Sequence, residues 1–163
     1  MFIIDDGCAY DALTCNEYCV FCVLRNPAKP NELINEGIVV HTETKNLAVL
    51  AARAFAQKNH LDWLMFWGVH DEAGNKLEID RELLKLKLSV FNLPPRLYSM
   101  PGITMYPLYV YVKNNETNET EVSCCEMPVS ASSSRAQQRE QAIDYAKNIF
   151  IKPLGFTWLG EVK

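Results

Sequence analysis

The stretch "GIVVHTETKNLAVLAARAFAQKNHLDWLMFWGVH", residues 37–70, constrains the fold more than any other. "GIVVHT" (37–42) is β-branched and reads as a strand. "TKNLAVLAARAFAQKNH" (44–60) reads as a helix: Thr44 can cap it, and Leu47, Leu50, Ala51, Ala54 and Phe55 form one apolar stripe. Lys58 and His60 suit its C-terminal end, where cations complement the helix dipole. Its many alanines let it lie close to a sheet. "DWLMFWGVH" (62–70) is a second apolar strand. A strand–helix–strand unit of this kind predicts that 37–42 and 62–70 run parallel, joined by a right-handed crossover.

Elsewhere, "EYCVFCVLRN" (17–26) is apolar on both alternations, as a central strand covered on two faces would be. The prolines of "NPAKPNELINEG" mark a connection, and "DEAGN" (71–75) is a turn before a short strand at 76–79. "RELLKLKLSVF" (81–91) fits both periods, with helix favoured. "NLPPRLYSMPG" (92–102) is a loop, because three prolines and a glycine break regular pairing. "ITMYPLYVYVKN" and "ETEVSCCEM" form a hairpin with its tip at 114–118. A second helix enters at Ser134, where Ser134 and Gln137 fit a capping box; Ala142, Ile143, Ala146, Ile149 and Phe150 face inward. "GFTWLGEV" is a final strand.

No internal repeat and no linker is legible. At 163 residues the chain can bury a real core, and 48% apolar with 22% charged residues suits a globular protein. The expectation is therefore a single domain over 1–163, an α+β fold. It takes the form of an α/β sandwich with one mixed sheet of about five or six strands. Two main helices (44–60 and 134–150) complete it, in a ferredoxin-like or related arrangement.

The formal charge of −4 lacks the basic footprint of a duplex-binding domain, so nucleic acid is not the expected partner. Apolar runs fall short of the roughly 20 residues that span a bilayer, so no membrane is expected either. The start "MFIIDDGCAYD" shows no basic n-region; a cytoplasmic setting with mostly reduced cysteines is the expectation.

Several stretches carry chemistry-bearing residues. Cys15, Cys19 and Cys22 resemble, over eight residues, the cluster motif of radical S-adenosylmethionine enzymes, but the glycine-glycine-glutamate stretch of that family is missing. In a strand, Cys19 and Cys22 would also face opposite ways, so packing is the preferred reading. "HTE" at 41–43, opening a helix, resembles the first half of a zinc-dependent nucleotide deaminase site. The resemblance implies His41 as a zinc ligand and Glu43 as proton shuttle. The P-C-x-x-C half is absent, and His70 is the other histidine that could approach His41.

"SASSSRAQQR" (130–139) places Arg135 and Arg139 at a helix start, against the dipole. An anion or a partner's carboxylate held there with Ser132, Ser133 and Ser134 would explain them. Tyr98, Met100, Met105 and Tyr106 around the proline-rich loop suggest a contact patch. Asp5 and Asp6 are a bare acidic pair.

Each chemical motif is incomplete. The sequence therefore favours a small interaction module that binds a protein partner, as an inhibitor, immunity-type or regulatory factor, without a cofactor. Its expected contacts are Ser132, Ser133, Ser134, Arg135, Arg139, Tyr98 and Tyr106. The competing expectation is a small zinc-dependent nucleotide or nucleobase hydrolase centred on His41 and Glu43, with His70 as a further ligand.

Overall fold

The computed structural model describes residues 2–5, 15–91 and 100–163. The chain divides into two compact units, residues 1–85 with Lys163 and residues 86–162.

The first unit contains β1 (Phe2–Asp5), β2 (Asn16–Arg25), β3 (Leu33–Thr42), α1 (Lys45–Lys58), β4 (Asp62–His70), β5 (Lys76–Leu77) and α2 (Glu82–Lys85). Its sheet has the order β1-β3-β2-β4-β5. β2 is antiparallel to both β3 and β4, so those two are parallel to each other, as the strand–helix–strand pattern requires. They are not neighbours, because β2 lies between them. α1 packs on β2, β3 and β4. Alternate residues Val20, Cys22 and Leu24 of β2 and Ile38 and Val40 of β3 are fully buried, which is the period-two signature of one covered face.

Both ends of α1 follow local chemistry. The Thr44 hydroxyl accepts a hydrogen bond from the Leu47 amide at 3.2 Å. At the other end the Leu61 amide donates to the Ala56 carbonyl and the His60 amide to the Gln57 carbonyl. His60 takes the left-handed conformation (φ 57°) that closes such a Schellman motif.

The second unit contains β6 (Leu88–Phe91), β7 (Ile103–Asn114), β8 (Thr120–Ser130), α3 (Arg135–Tyr145) and β9 (Phe156–Glu161), in the sheet order β6-β8-β7-β9. α3 runs on into a π-helical turn at Ala146–Phe150. Tyr106, Leu108, Val110 and Val112 of β7 join Cys125, Met127 and Val129 of β8 in a core closed by Ala142, Ala146 and Ile151.

The fold is thus mixed α+β, with two sheets and helices, of the general α+β sandwich kind. Two expectations are corrected. The strands form one sheet of five and one of four, not a single sheet of five or six. Neither sheet receives both main helices, as a single ferredoxin-like layer would. The strand after each helix returns beside the first strand of the preceding hairpin, within the same sheet. Residues 81–91 hold both elements: α2 starts where Asp80 Oδ1 accepts from the Glu82 amide, and β6 then pairs in parallel with β8.

The two units also repeat one topology. β1, β2, β3, α1 and β4 correspond to β6, β7, β8, α3 and β9. The first strand is parallel to the third, the second is antiparallel to the third and fourth, and the helix sits between third and fourth. A hydroxyl residue caps each helix, Thr44 and Ser134. The correspondence extends to an irregularity. Between Phe21/Cys22 and Gly68/Phe66 the register skips Trp67, and between Tyr111/Val112 and Gly160/Trp158 it skips Leu159. An internal repeat therefore exists where none was legible in the sequence.

Candidate interaction surface

The expected contact residues at the α3 entrance are held by internal bonds. Ser134 and Gln137 form the full capping box, at 3.0 and 3.2 Å. Ser133 Oγ accepts from Gln141 Nε2 at 3.0 Å, and the Ser130 and Ser132 hydroxyls share a hydrogen bond of 3.0 Å. Arg139 grips Glu161 in a bidentate pair, Nη2–Oε2 at 2.6 Å and Nε–Oε1 at 2.8 Å. The Arg135 guanidinium lies 4.7 Å from the ring centre of Tyr106, a cation–π contact. These contacts account for two arginines at a helix N-terminus. Tyr106 is 5% exposed and belongs to the core. Tyr98 lies outside the described residues, as does Asp6.

Cys19 and Cys22 lie on β2, and Cys15 stands just before it. Cys22 is fully buried on the α1 side, while Cys19 faces the other way and is half-buried. Burial, with Glu36 nearby, pushes the Cys22 thiol up to about 11. Cys19 and Cys22 are free, and Cys15 is disulfide-bonded. His41, on β3, pairs with Glu17 of β2, and His70 ends β4 opposite Cys19, edge-on to Phe21 at 4.9 Å. Glu43 sits between β3 and α1, its carbonyl accepting from Asn16 Nδ2 at 3.4 Å. Among the described residues, no group of three or more His, Cys, Asp or Glu is placed to hold a metal ion.

A different surface emerges on β4. Opposite β2, register shifts leave two β4 residues without a partner, Leu64 and Trp67. A bulge of this kind bends the strand and re-aims the extra side chain. Here both point into solvent: Trp67 is 58% exposed and Leu64 41%, with Met65 between them at 48%. On its far side β4 is covered by β5 only at Val69 and His70. From Asp62 to Gly68 that edge pairs with no strand among the described residues. Two bulges spoil the regular ladder that an added strand would need, so this edge displays side chains rather than a hydrogen-bonding template.

Beside Trp67 lies a cleft of about 460 Å³, lined by Phe66, Trp67, Gly68, Leu77 and Ile79 together with Lys76, Glu78 and Arg81. The Lys76 stem passes over Gly68, where a β-carbon would stand 3.2 Å from Lys76 Cε. A second cleft of about 400 Å³, lined by Asn16, Glu17, Tyr18, Asp71, Glu72, Ala73 and Leu77, is acidic instead. Bonds from the Asn75 amide and side chain hold the Asp71 carboxyl below its ordinary value.

Sequence reading missed Leu64, Met65, Trp67, Lys76 and Arg81. The available signal was the unbroken run "WLMFW", which has more apolar positions than the helix-facing side of one strand can use. Among the described residues no helix is long and apolar enough to cross a membrane. No protein-family model matches the chain, and neither a curated protein nor a solved structure matches it.

Proposed function

We propose that this chain is an interaction module that binds a protein partner, as an inhibitor, immunity-type or regulatory factor does, and that it docks through β4. One observation carries this reading. Two bulges on a single open strand turn Leu64 and Trp67 outward around Met65, so large apolar side chains stand in water where an ordinary strand would hide half of them. Leaving them exposed costs hydrophobic free energy that a partner recovers on binding. Tryptophan is also the residue most enriched among those that dominate binding energy at interfaces. A protein suits the patch better than nucleic acid does, because Leu64, Met65 and Trp67 carry no charge and the chain has no basic footprint.

The test is a photo-crosslinking residue placed at Met65, with a control at the exposed hairpin residue Glu116. The expected result is one adduct formed at 65 and not at 116. The captured protein, once purified, should bind the wild type and bind Trp67→Ala more weakly. Adducts that are the same at both positions would remove the reading.

A further inference from the structure

Resting on that docking surface, we infer that the partner presents an acidic residue next to an apolar anchor. The anchor packs on Trp67 and the carboxylate sits between Lys76 and Arg81. The cleft beside Trp67 supplies both halves of this recognition. Phe66, Leu77 and Ile79 give it an apolar wall, and Lys76 and Arg81 outnumber Glu78 on its lining.

Among the described residues the two cations are also unpaired. Among the described residues, Arg25 is paired with Asp62, Arg139 with Glu161, Arg53 donates to the Leu83 carbonyl, and Arg135 stacks on Tyr106. Arg81 and Lys76 have no such partner among the described residues. An unpaired arginine beside an exposed indole is a fork-shaped donor placed to take a carboxylate.

Charge separation on the same unit sharpens the choice. The neighbouring cleft carries Glu17, Asp71 and Glu72, so a carboxylate is repelled there and drawn to the Lys76–Arg81 side. The approach is thereby oriented: the apolar anchor follows β4 and the acid points toward residues 76–81. Gly68 contributes by leaving room for the Lys76 stem to lie across the strand.

The experiment is selection of random dodecapeptides displayed in a library against the immobilised full chain, repeated with Trp67→Ala and with the double variant Lys76→Glu/Arg81→Glu. The expected outcome is enrichment of peptides with Asp or Glu adjacent to a large apolar residue. Their affinity should fall about tenfold or more in the double variant and weaken with added salt, as charge pairing at a rim requires. Peptides that depend on Trp67 but carry no acid, and bind the double variant normally, would overturn this inference while leaving the docking surface in place. If no enriched peptide depends on Trp67, both fall. Self-association that rises with concentration and vanishes in Trp67→Ala would identify a second copy as the occupant and overturn the acidic-partner inference. Far-UV circular dichroism of each exposed-site variant confirms that the fold is intact.

Discussion

Replacing Arg139 by alanine separates a structural arginine from an anion-binding one. Its guanidinium meets the Glu161 carboxylate through Nη2 at 2.6 Å and Nε at 2.8 and 3.0 Å, tying α3 to β9. The side chains are 39% and 17% exposed, so the pair is neither a surface contact nor a fully dry one. Exposed pairs contribute about 0–1 kcal/mol. Removing one member of a buried pair costs about 3–5 kcal/mol, because the other charge is stranded. An intermediate pair of good geometry places Arg139→Ala near 2 kcal/mol, discounted for the exposed arginine. With a urea slope of about 1–3 kcal/mol/M, the midpoint should fall by roughly 1 M. Glu161→Gln should cost less, since a neutral amide still accepts from the guanidinium. The double variant should recover about 1 kcal/mol relative to the sum of the two single variants. Urea unfolding followed by circular dichroism, with and without inorganic phosphate, reads all of this. If Arg139→Ala unfolds like the wild type but loses protection by phosphate, the arginine is held for a ligand and the structural account of it is wrong.

Other consequences are quicker to check. Burial, with the neighbouring Cys124, pushes the Cys125 thiol up to about 12, and Cys22 stands near 11, so both should resist iodoacetamide until the chain unfolds. Half-buried Cys19 should be alkylated first of the free cysteines, as peptide mass spectrometry would show. The same shifts make stability fall above pH 9, where unfolded thiols ionise while the folded ones keep their protons. The slope is about 1.4 kcal/mol per pH unit and thiol, flattening as pH passes each folded value, and urea midpoints across that range measure it. Ser123 Oγ is buried without a hydrogen-bond partner among the described residues, so Ser123→Ala should leave stability unchanged or raise it by about 1 kcal/mol in thermal unfolding. Ser134→Ala removes a cap from α3 and should cost about 1 kcal/mol by the same measurement.

Local signals in the sequence reported local structure well. Thr44 and Ser134 announce the helix starts, and the alternation of "ITMYPLYVYVKN" announces the longest hairpin. Sheet membership was hidden, because pairing is non-local. Nothing in "DWLMFWGVH" states that it returns beside β2 rather than forming part of one larger sheet. β1 and β6, four residues each, are too short to show a period, and their parallel partners lie more than thirty positions away. The repeat escaped for a related reason. What the halves share is strand order and a bulge, "FWG" against "WLG", and few side chains recur in step. For the site, composition singled out Arg135 and Arg139 as oddities at a helix start. Only the folded chain brings Tyr106 and Glu161 to them. Trp67 stands in a run of apolar residues that reads only as a strand, and the bulge that turns it outward has no signature beyond the glycine that follows.

The most direct measurement of the docking account is the affinity of the purified crosslinked partner for wild-type chain and for Trp67→Ala, by calorimetry at fixed salt. A buried tryptophan anchor contributes about 2 kcal/mol or more, so the variant should bind on the order of 30-fold more weakly while unfolding at the same temperature. Equal affinities, with the fold intact in both, would contradict the claim that this protein works through the side chains displayed on β4.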